Sequence, residues 1–384
     1  MKNKSTYQYP WSYNNQFQVL IDGAEYFSSM LDEIKKSHSQ ILFEAYLFES
    51  GKIATNFINE LCNAKKRGVD VFVLLDEYGT KNLNDSDKNR LTSSGIELSL
   101  YNPVNFFHLG KSLKRDHRKL LTIDNNVAFV GGAGITDEFM PDEKNNYWHD
   151  VMLKINGDIV FDLAHSFQQI WGREKEHSFL IVPVKTQQNE YTANNNKARI
   201  LTSFGTQKNE IIRAIISRIR SSKQRVWLTS PYFISSTKVR RALRFAAEKG
   251  IDVRLVFPGP HSDHKWITHG IRRYYQRLLK SNISIYEFQP RFIHSKIILC
   301  DDWFTIGSSN IDRWDQLLNL DNNIEVYDPI SHQQIVDSFE SDFSNSTLIV
   351  LKKWNARTSI QHIKEWCSGI IIKGLGYIGR KFKR

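Results

Sequence analysis

Two stretches of this chain carry the same reactive set. His117, Lys119 and Asp124 recur as His294, Lys296 and Asp301, each position displaced by 177 residues. On a β-strand, residues two apart share a face, so the His and Lys of each set project together. The Asp, seven beyond the His, falls on the opposite face of a regular strand and reads as structural. An imidazole beside an ammonium suits a phosphate: the Lys neutralises non-bridging oxygens, while the His attacks phosphorus or moves a proton. One His cannot readily do both in a single step. Two brought together can, one attacking and the other protonating the leaving oxygen, with no metal or other cofactor required. A single strand-borne His is usually structural. Two intact copies, each followed by a small-residue turn (Gly131–Gly134 and Gly307–Asn310), point instead to catalysis.

The elements around the two copies repeat as well. The first half offers apolar strands at Ile41–Phe48, Gly68–Asp76 and Gly95–Tyr101 before His117–Asp124. The second offers Val226–Phe233, Gly250–Phe257 and Ile283–Phe288 before His294–Asp301. Helical stretches separate the first three strands each time, as in Arg241–Gly250, whose glycine is placed to end a helix. Strands joined by helical crossovers predict the α/β class with sheets covered on both faces. The predicted division is a segment 1–16, a first half 17–184, a polar linker or loop 185–198, a second half 199–351 and a tail 352–384.

The 384 residues are 41% hydrophobic, with nine Trp, 15 Tyr and 23 Phe, which excludes whole-chain disorder. Cys62, Cys300 and Cys367 are too far apart for a C-x-x-C site, so neither a disulfide scaffold nor a thiolate zinc site is expected, and a reducing compartment fits. No apolar run reaches the ~18 residues of a membrane span. The net charge of +11 suggests a polyanionic partner. Residues 352–384 hold nine Lys/Arg against one Glu, or eight of those eleven charges. There Lys352, Lys353, Lys373, Arg380, Lys381, Lys383 and Arg384 alternate with bulky residues such as Trp354 and Trp366. That is the pattern of a segment lying on anionic lipid, a better fit than nucleic acid, which calls for cations along the catalytic groove.

The paired H-x-K-x4-D motifs resemble those of the phospholipase D superfamily. Asp22–Phe27, Glu44–Phe48, Asp116–Asp124, Ser230–Phe233, Tyr274-Tyr275, Tyr286–Gln289 and Asn319–Asn323 are similar to its bacterial cardiolipin synthases, of the short type without N-terminal membrane spans. The resemblance runs from about residue 17 to 347. It implies two similar α/β halves packed as a pseudo-dimer with the active site at their interface. It implies a phosphatidyl group held on His117 as nucleophile, with His294 as acid/base and Lys119 and Lys296 on the phosphate. Asp124 and Asp301 carry over as motif members. Asp150 and Asp321 match the carboxylates that follow each His and orient its ring, Asn319 standing beside the second. Asn310 matches a phosphate-pocket amide whose first-half counterpart is Gly134, so a backbone N–H or Thr136 would substitute there. The expected product is cardiolipin made from phosphatidylglycerol, at the cytoplasmic face of an anionic phospholipid membrane.

Hydrolysis of phospholipid to phosphatidic acid and metal-independent nucleic-acid cleavage are the alternative activities of such a site. A degenerate phosphate-binding scaffold conflicts with two intact motifs. Gly374–Gly379 spells G-x-G-x-x-G but lacks the helix and distant acid of a dinucleotide site. His261, His264 and His269 lack an acidic or thiolate partner for metal and read as part of a basic aromatic helix. Asp22 reads as a helix N-cap, and Glu44 as either a catalytic or a buried strand-end acid.

Overall fold

The computed structural model describes residues 7–103, 112–143, 146–174, 196–204, 209–312 and 318–358, together with 361, 365 and 367–369. The first half contributes β1 (Asn15–Ile21), β2 (Gln40–Ala45), β3 (Asp70–Asp76), β4 (Glu97–Tyr101), β5 (Arg115–Asp116), β6 (Leu120–Ile123), β7 (Val127–Gly131) and β8 (Val151–Gly157). The second contributes β9 (Lys197–Phe204), β10 (Arg225–Thr229), β11 (Asp252–Pro258), β12 (Ser284–Phe288), β13 (Ile297–Cys300), β14 (Trp303–Gly307), β15 (Asn319–Tyr327) and β16 (Ser346–Leu348).

Seven strands of each half follow one plan. The first sheet runs β1-β8-β7-β6-β2-β3-β4, and its equivalent in the second runs β9-β15-β14-β13-β10-β11-β12. Within each set of seven, the three crossover strands are parallel and the other pairings antiparallel. The opening strand and helix of each half, β1 with Asp22–Lys36 and β9 with Glu210–Ser221, lie outside the repeat read from the sequence. Lys197 and Ala198, placed in the predicted linker, already belong to β9; residues 185–195 lie outside those described.

Two features carry chain from one half to the other. Short β5 leaves its own sheet and pairs in parallel with β15, setting Leu320 opposite Asp116, and a bridge sets His149 opposite Ile293. Between the sheets lies a core built from both halves, including Leu74, Phe167 and Trp171 from the first and Leu299, Phe304 and Phe339 from the second. The outer face of each sheet has its own core beneath the crossover helices. The helix Thr237–Glu248 ends as its sequence predicts, with Gly250 at φ +83°, a conformation other residues adopt only with strain.

Candidate active site between the two halves

His117 and His294 each stand just before a central antiparallel strand, β6 and β13, at the seam. Both are 8% exposed, and Lys119 and Lys296 are 5% and 4% exposed. The main chain holds the two histidines by one construction used twice. His117 N–H donates across the seam to the Leu320 carbonyl at 3.0 Å, and His294 N–H donates to the His149 carbonyl at 2.7 Å. The residue after each acceptor is a carboxylate, fully buried: Asp321 and Asp150. Its side chain then meets the imidazole. His117 Nδ1 lies 3.1 Å from Asp321 Oδ1, and His294 Nδ1 lies 2.7 Å from Asp150 Oδ2.

The pairing is therefore crossed. The carboxylate that follows each motif in sequence serves the histidine of the other motif. This is how a two-fold interface must work when each half reaches over the axis, because a contact made by one half is returned by its equivalent. Ser308 donates to Asp321 at 2.6 Å, and the Val151 N–H donates to Asp150 at 2.7 Å. At Gly132 a Cβ would stand 2.6 Å from the Asp150 carboxylate, so the glycine there gives Asp150 its room. With each Nδ1 turned to a carboxylate, Nε2 is the nitrogen left for a phosphate.

Each ammonium is held by its own histidine's carbonyl, Lys119 Nζ at 2.6 Å and Lys296 Nζ at 2.7 Å. Lys296 Nζ also lies 3.1 and 3.2 Å from the two ring nitrogens of His294. Burial first, then the adjacent Lys, depress His117 to about 4 and His294 to about 3, against the pull of Asp321 and Asp150; the Lys of the opposite motif adds to both. Both rings are therefore neutral near pH 7 when the site is empty of anion. Burial would raise Asp150, but Lys296 and His294 hold its carboxyl below the ordinary range. An entering phosphodiester offsets the two ammonium charges and lifts the imidazoles toward protonation. The site can thus supply one neutral nucleophile and one proton donor once an anion is bound.

The motif aspartates stand outside this chemistry. Asp124 accepts from the main-chain N–H groups of His38, Ser39 and Gln40, and Asp301 from those of Lys223, Gln224 and Arg225. Each thus ties the far end of its motif strand to the start of β2 or β10, at φ +54° and +52°. Partial burial would raise Asp124, but those donors hold it below its ordinary range. Asn310 is buried in the turn after β14. Asn319 is partly exposed and pairs through its main chain with Arg115. Thr136 is no stand-in for Asn310, because its hydroxyl is 3.2 Å from Glu49; Gly134 packs against Leu47.

Other expectations need correcting. Asp22 caps nothing: the helix cap position is Ile21, and the Asp22 carboxylate instead pairs with His149 and Arg291. Glu44, one of two readings left open by the sequence, is buried on β2 and pairs with Arg118, as a buried strand acid does. Trp354 cannot lie on lipid, since it is buried and its ring stands 4.8 Å from Tyr275. Lys352 and Lys353 beside it are exposed. Trp366, Lys373, Arg380, Lys381, Lys383, Arg384 and the Gly374–Gly379 run lie outside the described residues. His261 and His264 are exposed, and His264 precedes the helix Lys265–Arg272, which also carries His269.

Sequence reading missed the aromatic walls. The Tyr46 ring stands edge-on to His117 at 5.0 Å, while Trp148 and Phe139 stand 5.3 and 5.6 Å from His294. Trp148 sits two residues before Asp150, and that proximity was the available signal.

Comparison with known proteins places the chain in a family. A family model described as "Cardiolipin synthase, PLD-like domain" matches residues 30–171 and 215–344, one match in each half. A cardiolipin synthase of Geobacillus kaustophilus is 31% identical over 95% of this chain and 73% of its own length. One from Clostridium perfringens is 30% identical over 92% of the chain and 76% of its own. The structure of phosphatidylserine synthase from Haemophilus influenzae superposes with a TM-score of 0.72 over 96% of this chain and 94% of that one; at 15% identity this likeness shows the fold. With both sheets, both motifs and relatives along nearly its whole length in agreement, the chain belongs to the PLD-like cardiolipin synthase family of the phospholipase D superfamily.

Proposed function

We propose that the protein is a phosphatidyltransferase that makes cardiolipin from two molecules of phosphatidylglycerol. The reading is carried by the crossed His–Asp pairs, each beside a lysine, at the seam of two halves that match cardiolipin synthases. His117 Nε2 attacks the donor phosphorus, and the bond from phosphorus to the glycerol oxygen breaks. His294 gives that oxygen its proton, and free glycerol leaves. The phosphatidyl group remains on His117 as a phosphoramidate. The hydroxyl of a second phosphatidylglycerol then passes its proton to His294 and attacks phosphorus, breaking the N–P bond. Lys119 and Lys296 balance the phosphoryl oxygens throughout, and Asp321 and Asp150 fix the two imidazoles. His117 takes the nucleophile's part by resemblance to the family.

The substrates are membrane lipids, so the protein works as a peripheral protein on an anionic bilayer, at its cytoplasmic face. Among the described residues no helix is long and apolar enough to cross one. The exposed Lys352 and Lys353 and the cationic chain after residue 358 are the surface proposed for that contact.

The test is incubation with labelled phosphatidylglycerol vesicles, with single-stranded DNA in parallel. Cardiolipin plus glycerol is expected. Phosphatidic acid alone would assign hydrolysis, and DNA cleavage with inert lipid would overturn the lipid reading. The same vesicles should float the full chain and lose one that ends at residue 358; equal flotation would reject the tail as the membrane contact.

A further inference from the structure

His149 is enclosed where the halves meet, and the reaction scheme gives it no task. Its Nδ1 lies 2.7 Å from Asp22 Oδ1 and its Nε2 lies 3.1 Å from Asp342 Oδ1. Asp22 opens the first helix of the first half, and Asp342 stands in the helix Pro329–Ser344 of the second. Arg291 pairs with Asp22 and places Nη2 3.3 Å from His149 Nδ1. Phe288 stacks on the imidazole at 5.3 Å, and Tyr147 lies beneath the Arg291 guanidinium at 4.2 Å. Tyr26, kept neutral by burial, and Asp150 are further titratable groups beside this cluster.

A protonated imidazole balances the four groups Asp22, Asp342, Arg291 and His149, while Asp150 is matched by Lys296 and His294 on its other side. Burial opposes the His149 charge, but Asp342 and then Asp22 outweigh it and push the group up to about 10. It is an imidazolium at neutral pH, unlike the two motif histidines.

The main chain of the same residue holds the reacting region. His149 N–H donates to the Phe292 carbonyl at 2.8 Å, and its carbonyl accepts from His294 N–H at 2.7 Å. The next residue is Asp150, which orients His294. Leu320, in the matching place for His117, makes the same main-chain contact with an apolar side chain. Among the described residues, the His294 site has a charged side chain at this anchor position and the His117 site has the apolar Leu320.

We propose that His149, clamped between Asp22 and Asp342, is a positioning residue that sets the placement of Asp150 against His294. It rests on the assignment of His294 to proton transfer in the reaction above. The test uses the full chain with 15N-labelled histidine, the His294 signals being assigned by their loss in His294→Gln. In His149→Gln and in Asp342→Asn, the His294 side-chain signals and their titration shift while those of His117 stay. Turnover on phosphatidylglycerol vesicles falls in kcat by roughly 10–100-fold, the scale of a small misplacement of a reacting group, with KM changed by less than about twofold. Unmoved His294 signals in a folded variant, an equal shift of His117, or unchanged kcat would overturn the proposal. If His149→Gln does not fold, the isosteric Asp342→Asn decides. If the unmodified protein turns over no lipid, the functional reading falls, and the His294 spectra still decide the positioning claim.

Discussion

The two halves build the same site on different foundations. Behind His117, in the first half, lies an ionic core between β2 and the residues that lead into β6. Arg118 reaches Glu44, Asp116 and the hydroxyl and carbonyl of Ser166, all buried. The strand register puts Thr229 and Ser295 at the equivalent positions of the second half, where two hydroxyls meet at 3.4 Å. Behind His294, in turn, stands the charged His149 clamp contributed by the first half, whereas the second half sets the apolar Leu320 behind His117. The two halves therefore share the His, Lys and carboxylate set and differ in what supports it. The reacting atoms fix the His, Lys and carboxylate geometry. Any arrangement that holds those groups still is free to vary.

The largest effect should come from the crossing itself. Asp150→Asn is expected to cut kcat by about 10²–10⁴-fold, as loss of an orienting carboxylate does in other histidine-based sites. It should alter the titration of His294 and leave that of His117 in place; Asp321→Asn should do the reverse. Titration of the two histidines by NMR checks this, and a change in the histidine of the same half would break the crossed scheme.

The supports should differ in energy. Burial opposes the Arg118 charge, but Glu44 and then Asp116 overcome it and keep the guanidinium protonated. Replacing Arg118 by Leu leaves two buried carboxyl groups without their cation and should cost about 3–5 kcal/mol. Ser295→Ala, at the matching place, should cost no more than about 1 kcal/mol. Denaturant unfolding measures both, and equal costs would show that the two foundations are not as unlike as their contacts indicate.

The smallest effect is a pH profile with a distinct cause on each side. His117 and His294 have folded values below the ordinary 6.5, so the stability of keeping them neutral is present above about 6.5. It is lost as pH falls toward 4 and then 3. His149 is raised to about 10, so its contribution is complete below about 6.5 and is lost as pH rises through 10. Thermal melting of His294→Ala should lose part of the acid dependence and that of His149→Gln part of the alkaline dependence. Unchanged profiles would contradict those assignments.

Much of this was legible in the sequence because it is local and periodic. The motif spacing put each His beside its Lys, although the structure sets both just before β6 and β13 rather than on them, and the repeated apolar strands predicted two α/β halves. The odd step to Asp124 and Asp301 separated them from the reacting groups. What was not legible depends on contacts across the seam. Nothing in the spacing of Asp150 or Asp321 says that each serves the other half's histidine. Asp22 has the residue type of a cap but is drawn away by His149 and Arg291, and Trp354 has the look of a lipid anchor until Tyr275 covers it. Edge strands β1 and β9 were missed because they lie outside the element order shared around the motifs.

The central claim is that the halves divide one reaction, His117 carrying the phosphatidyl group and His294 the proton. It is tested most directly by quenching the protein in base during turnover of labelled phosphatidylglycerol, then mapping the label to peptides. The account predicts label on the His117 peptide, none in His117→Ala, and loss of turnover in both His117→Ala and His294→Ala. Label on the His294 peptide, or continued turnover after loss of either histidine, would contradict it.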